Sequence, residues 1–356
     1  MDQTEKLLKE ITNVGGVSGY EEEVRAVMRQ YLQDVAEIEQ DKMGSFIGKH
    51  VGEQERPRVM LAGHMDEIGF MVQLITKEGF VKFVPLGGWW DQVLLGHRVV
   101  IKTAKGDVVG VLGAKPPHLL DAEERKKVVE KKDMYIDVGA CSEEEVKEMG
   151  VRPGDPIIPV SEFTTMANPR FYLSKAFDNR LGCALAVQTL RQLAKDGHPN
   201  TIYAVGTVQE EVGLRGAKTS AHVIDPDAAI ILEVDIAGDV PGIKPEVTAV
   251  KMGSGPSLLV YDARMIPNLK LRDLVIETAE ELEIPLQFSA MAGGATDGGM
   301  IHIHNEGVPT VVIGVPTRHI HSHNAILCRD DYDQALKLVV ALVQKLDAAT
   351  VAGLTA

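Results

Sequence analysis

The stretch IYAVGTVQEEVG, residues 202 to 213, joins an apolar run, Ile202 to Val208, almost directly to two adjacent carboxylates, Glu210 and Glu211. A continuous Val/Ile-rich run bounded by polar residues reads as a strand buried on both faces, the mark of a parallel sheet covered by helices. Isolated buried carboxylates either neutralise or find a cation. One short stretch therefore raises the fold and the chemistry together.

Working outward, the same texture recurs. RVMLAG (58–63), AAIILEVD (228–235) and PTVVIGVP (309–316) read as further buried strands. Between them lie helical patterns at 4–12, after GGVSG (15–19), in NRLGCALAVQTLRQLAK (179–195), near 215–222, in NLKLRDLVIETAEELE (268–283) and in DDYDQALKLVVALVQKLDAAT (330–350). Ser18 and Glu21 have the spacing of a capping box for the second of these helices. The expected fold is α/β, a mostly parallel sheet sandwiched by helices. From about residue 69 the pattern changes to Gly-punctuated β segments, GFVKFVPLGG, RVVIKTAKGDVVGVLG, MYIDVGA and GDPIIPV. These predict a small β-rich domain over 69–164, inserted into a discontinuous catalytic domain made of 1–68 and 165–356. The charged run HLLDAEERKKVVEKKD (118–133) within it reads as a solvated helix or loop.

Composition bounds the function. The 356 residues carry a net charge of −14, which argues against nucleic-acid binding, since phosphate contacts need a basic surface. No apolar run approaches the roughly 20 residues of a membrane span, and the opening MDQTEKLLKEITN reads as a charged helix, so no membrane partner and a cytoplasmic location are expected. Cys141, Cys183 and Cys328 are too scattered for a disulfide framework or a cysteine zinc knuckle.

Open α/β sheets bind ligands at the carboxyl ends of their strands. Here the polar residues collect there: His64 and Asp66 after the first strand, Glu210 and Glu211 after the second, Asp235 at the end of the third, and His319 and His321 after the fourth. Asp178, in SKAFDNRLG, precedes a predicted helix. Each alone has an ordinary explanation as a turn former, helix cap or core histidine. Together they form the nitrogen and oxygen donor set of zinc, cobalt or manganese sites. His64 and Asp66, two apart in an extended chain, fall on one side, so Asp66 is expected to accept the second ring N–H of His64. Adjacent Glu210 and Glu211 point to opposite sides, so one can bind a metal while the other serves as a general base.

The motifs GHMDEIGF, KAFDNRLG, QEEVGLRGA, EVDIAGD, GGATDGGMIH and RHIHSHNA, in this order, resemble the dinuclear metallo-aminopeptidases of the tetrahedral (TET) type, the glutamyl or deblocking aminopeptidases also named endoglucanase M. The resemblance implies two divalent metal ions per subunit, with zinc expected and cobalt or manganese as options. It implies that Asp178 bridges them, that His64 and Asp235 complete one site, and that Glu211 and His321 complete the other. Glu210 is then the general base, and Asp66, from its spacing to His64, is the supporting residue counted with it as catalytic. It further implies peptide substrates, a dimerisation role for the β-rich insertion, and homo-oligomers in which dimers assemble into a tetrahedral dodecamer. Thr296 and Asp297 either line the site or belong to a Gly-rich turn, and His302, His304, His319 and His323 are expected to be mainly structural. Rival readings are a deacylase or dipeptidase using the same site, a carboxylate-only glycosidase, and a noncatalytic cage. The glycosidase leaves His64 and His321 unexplained, and the cage leaves an intact ligand set without purpose.

Overall fold

The computed structural model describes residues 1–355. In chain order, β1 (Glu37–Gln40), β2 (Phe46–Val51) and β3 (Arg58–His64) begin a large sheet. Six strands then close a barrel: β4 (Gly69–Ile75), β5 (Phe80–Leu86), β6 (Arg98–Thr103), β7 (Gly106–Gly113), β8 (Tyr135–Asp137) and β9 (Pro156–Pro159). The large sheet resumes with β10 (Thr164–Thr165), β11 (Phe171–Ser174), β12 (Thr201–Thr207), β13 (Ala228–Ile236), β14 (Ser257–Asp262), β15 (Gln287–Met291), β16 (Thr310–Arg318) and β17 (Ala325–Cys328). Its order is β1-β2-β12-β3-β13-β16-β17-β11-β10, with β14 also on β16 and β15 on β14.

The sheet is mixed. Its centre, β12-β3-β13-β16, is parallel, and the pairings outside it are antiparallel apart from β14 with β15. Strands β12 and β3 are almost wholly buried, as expected where helices cover both faces. The four central strands all run the same way, so their carboxyl ends open at one rim, where His64, Glu210 and the end of β13 meet.

The helix Phe177–Asp196 crosses the centre of this sheet and is buried along most of its length. Two glycines set how close it comes. A Cβ on Gly63 of β3 would lie 2.5 Å from the carbonyl carbon of Gly182, and one on Gly182 would lie 2.1 Å from the Leu232 oxygen of β13. Only glycine permits that approach, and it brings Asp178, at the head of the helix, beside His64. The backbone at Asp178 is not yet helical, with φ −78° and ψ 107°.

The same junction is fixed by charge. The Arg180 guanidinium, fully buried, donates to the carbonyls of Ile11, Val14, Gly16 and Met65 and to Glu67 at 3.0 Å, while Lys175 reaches Glu67 at 2.6 Å. Burial lowers the Lys175 pKa to about 8. Every donor of this network meets an acceptor that lies on the exit of β3 or on the N-terminal segment. That geometry ties three segments distant in sequence into one register, the use to which buried polar networks are best suited.

The expected capping box is not formed. Ser18 instead donates to the Asp66 carboxylate at 2.6 Å, and the Glu21 carboxylate accepts from the backbone N–H of Gly19 and Gln209. The helix Glu22–Leu32 begins without a side-chain cap, because both candidate cap residues are drawn toward the strand ends. Residues 118–133 form exposed 3₁₀ turns rather than a helix.

Candidate metal centre

The site is assembled at the rim from five segments. His64 closes β3; Glu210 and Glu211 follow β12; Glu233 lies on β13; Asp178 heads the central helix; His321 follows β16. His64 Nε2 lies 3.2 Å from Asp178 Oδ1, 3.7 Å from Glu210 Oε2 and 4.0 Å from Glu233 Oε1. His321 Nε2 lies 3.4 Å from Asp178 Oδ2 and 3.8 Å from Glu211 Oε2. The two oxygens of Asp178 thus face different histidines. Three three-residue groups able to hold a cation follow: His64/Asp178/Glu233 and Asp178/Glu211/His321, with Asp178 common to both, and His64/Glu210/Glu211.

One expected ligand is corrected. Asp235 is not part of this cluster; its carboxylate accepts from the Ser257 hydroxyl at 2.5 Å and from the N–H of Ile236. Glu233 takes its place, and register explains why. β13 pairs with β3 through Ile231 opposite Ala62, so two residues further on Glu233 is level with His64, and Asp235 overshoots by about 7 Å at some 3.3 Å per residue.

Both histidines present the same tautomer. Nδ1 of His64 faces the Asp66 carbonyl at 2.9 Å, and Nδ1 of His321 faces the Gly88 carbonyl at 2.6 Å. A carbonyl only accepts, so each Nδ1 carries a proton and each Nε2 is the atom turned to the cluster. The expected contact from His64 to Asp66 is therefore made mainly by the backbone; the Asp66 carboxylate stands 3.5 Å from the ring. Asp66 has another task. Its Oδ1 accepts the N–H of Glu210 at 3.0 Å and its Oδ2 that of Glu211 at 3.1 Å, which pins the turn carrying both glutamates.

Electrostatics points to a missing positive charge. Among the described residues no lysine or arginine pairs with Asp178, Glu210, Glu211 or Glu233. Burial first, then the neighbouring carboxylates, pushes Glu210, Glu211 and Glu233 well above the usual range, against the opposing pull of His64. Burial would lower the His64 pKa, but Glu210, Asp178, Asp66 and Glu233 outweigh it and raise it well above normal. Buried Asp297, raised to about 6 by desolvation, bonds Thr207 through one oxygen and leaves the other without a partner. So many buried carboxylates against two imidazoles are costly without cations, and the His/carboxylate donor set fits two divalent ions.

A cavity of about 310 Å³ opens onto the cluster, lined beyond it by Leu214, Ile236, Arg264, Met291, Thr296 and Ile320. Thr296 therefore lines the site, whereas Asp297 sits behind it. His319 is exposed and outside the lining, and His302 bonds Gly298 within its own turn. Sequence reasoning missed Glu233, Arg264 and Gly88. Only Glu233 left a trace, as an acid inside an otherwise apolar strand.

The family model for M42 glutamyl aminopeptidase matches residues 44–338, and a second model, AMPT, matches residues 2–28. The chain belongs to the M42 family. It is 37% identical to the lysyl aminopeptidase of Pyrococcus furiosus, over 96% of this chain and 97% of that protein. It is 35% identical to the glutamyl aminopeptidase of Lactococcus lactis subsp. cremoris, over 97% of each. Among solved structures it is similar to a TET aminopeptidase from Thaumarchaeota archaeon SCGC AB-539-E09, with a TM-score of 0.97, 51% identity and coverage of 99% and 100%. It also resembles the Pyrococcus horikoshii TET1 peptidase, which assembles into a tetrahedron or a large octahedral shell, with a TM-score of 0.87, 32% identity and coverage of 97% and 100%. Membership of the M42 family makes the chain an aminopeptidase, a hydrolase of peptide bonds. Peptidases of this family are metal-dependent.

Proposed function

We propose that the cluster holds two divalent cations and that the protein removes N-terminal residues from peptides, with Glu210 as general base. The observation that carries this reading is Asp178, whose oxygens are turned one to each histidine at 3.2 and 3.4 Å. When bound, the two cations supply Lewis-acid polarisation of the scissile carbonyl and lower the pKa of water. His64 and Glu233 hold one side of the pair, Glu211 and His321 the other. Glu210, which no lysine or arginine among the described residues neutralises, takes the proton of the attacking water and returns it to the leaving amine. Asp66 keeps Glu210 and Glu211 aimed through their backbone N–H groups. Zinc, cobalt and manganese all suit the donors.

The test is a panel of free and N-acetylated aminoacyl chromogenic amides, assayed with chelator and after metal is restored. Metal-rescued cleavage of free amines only is the expected result. Cleavage confined to blocked substrates would make the protein a deacylase instead.

Arg264 refines the substrate. It lines the cavity, is exposed, and among the described residues its side chain has no carboxylate partner. A guanidinium beside apolar Leu214 and Met291 suits an acidic N-terminal side chain and repels a lysyl one. A charged hydrogen bond is worth about 1.5–3 kcal/mol, so Arg264→Met should cut kcat/KM for a glutamyl amide by about 10- to 100-fold while leaving a leucyl amide within a few-fold. An unchanged glutamyl-to-leucyl ratio would remove Arg264 from substrate recognition.

The M42 neighbours that form closed shells support a homo-oligomer here too. The barrel presents Trp90, Leu95, Val109 and Val111 to solvent, apolar surface suited to a dimer contact. No helix among the described residues is long and apolar enough to cross a membrane, and a cytoplasmic location agrees with this.

A further inference from the structure

The loop that carries His321 is strained and leans on the barrel. His319 and His321 both hold left-handed backbone, with φ of 61° and 54°, a conformation non-glycine residues keep only where the surroundings enforce it. The enforcing surface is the turn after β5. Gly88 accepts the Nδ1–H of His321, and Trp89 stacks on Phe70 of the barrel core, with ring centroids 4.9 Å apart and planes 19° apart. The Trp89 ring also meets that of His323, centroids 5.2 Å apart. His97, just ahead of β6, stacks on His323 at 4.0 Å and 17°.

His323 is the informative member. It is buried, and neither of its ring nitrogens has a hydrogen-bond partner. Burying an imidazole that way costs free energy. What it gains is aromatic packing that fastens residues 321 to 323 to the inserted barrel.

We propose that the chain of rings Phe70–Trp89–His323–His97 is the positioning device for His321, so that the barrel sets the cation affinity of the Asp178/Glu211/His321 group. This rests on the two-cation reading above. The His64/Asp178/Glu233 group does not depend on the barrel in this way, because His64 is oriented by the Asp66 carbonyl just after β3. Little room for slippage exists at the junction. A Cβ on Gly88 would lie 3.2 Å from Nδ1 of His321, and one on Gly87 3.0 Å from Oε2 of Glu211.

Metal-stripped full-length protein is titrated with cobalt(II), followed by visible absorption and by competition with a chromophoric chelator. Wild type takes two ions per chain. His97→Ala should weaken one of them about 10- to 100-fold, the usual cost of disturbing a ligand's support, and leave the other unchanged. His97→Phe keeps a ring against His323 and should restore binding. In a Glu211→Gln background, which removes the affected site, His97→Ala should change nothing further. Melting curves of the stripped variants establish that they fold; should His97→Ala fail to fold, Trp89→Leu against Trp89→Phe gives the same comparison. Identical two-ion curves for wild type and the His97→Ala or Trp89→Leu variant overturn the positioning role alone, as does equal weakening of both ions or failure of the Phe variant to rescue. A wild-type chain that takes no second ion overturns the two-cation reading, and this inference with it.

Discussion

Glu210→Gln is expected to retain both metal ions and to lose most turnover. The substitution keeps shape and hydrogen-bonding capacity but removes the proton acceptor, and general acid–base catalysis commonly contributes about 10²- to 10⁴-fold. That is about 3–5 kcal/mol of transition-state stabilisation at 1.36 kcal/mol per decade. Glu210 is suited to the role because its backbone, not its carboxylate, is tied down: the N–H bonds Asp66 at 3.0 Å, and the side chain stays free within 3.7 Å of His64. Elemental analysis of the purified variant, beside kcat on a free aminoacyl amide, checks it. Near-wild-type turnover in a fully metallated Gln variant would take the base role away from Glu210. Loss of metal along with turnover would recast it as a ligand.

A comparably large effect should separate Glu233 from Asp235. Glu233→Gln removes the carboxylate level with His64, so metal content should fall from two ions to one and activity by at least about 100-fold, as expected when one of two cooperating cations is lost. Asp235→Asn should keep two ions and change activity by only a few-fold. Its side chain can still accept from Ser257, so the cost in stability is about 1 kcal/mol, the scale of one altered hydrogen bond. Metal stoichiometry and thermal melting of the pair give the answer. The opposite pattern, with Asp235→Asn losing an ion, would mean that the strand shifts by two residues on metal binding and would reinstate the ligand expected from sequence.

That pair also shows where sequence reasoning runs out. The buried strands, the helices between them and the inserted β-rich segment were legible because burial on two faces and burial on one leave different periodicities in the chain. That His64, Glu210, Glu211 and His321 gather at one rim was legible because each follows an apolar strand, where titratable residues are rarely there for packing; Asp178 stood out only at the head of a predicted helix. Which acid on β13 faces the cluster was not legible. Glu233 and Asp235 lie on the same side of the strand, and only the register against β3, Ile231 opposite Ala62, decides between them. Ser18 and Glu21 misled for a related reason: local spacing suggested a helix cap, while distant Asp66 and Gln209 supplied better partners. Arg264 and Gly88 left no local signal, since each matters only for what folds against it.

The residues proposed to hold the cations are spread from His64 to His321, 257 positions apart. During synthesis at about 5–20 residues per second, the first ligand is therefore made some 13 to 50 s before the last, with the whole barrel in between. A chain that stops before residue 321 lacks the second histidine. Such a product has no completed centre, so the cluster can close only after the strand before His321 has been made.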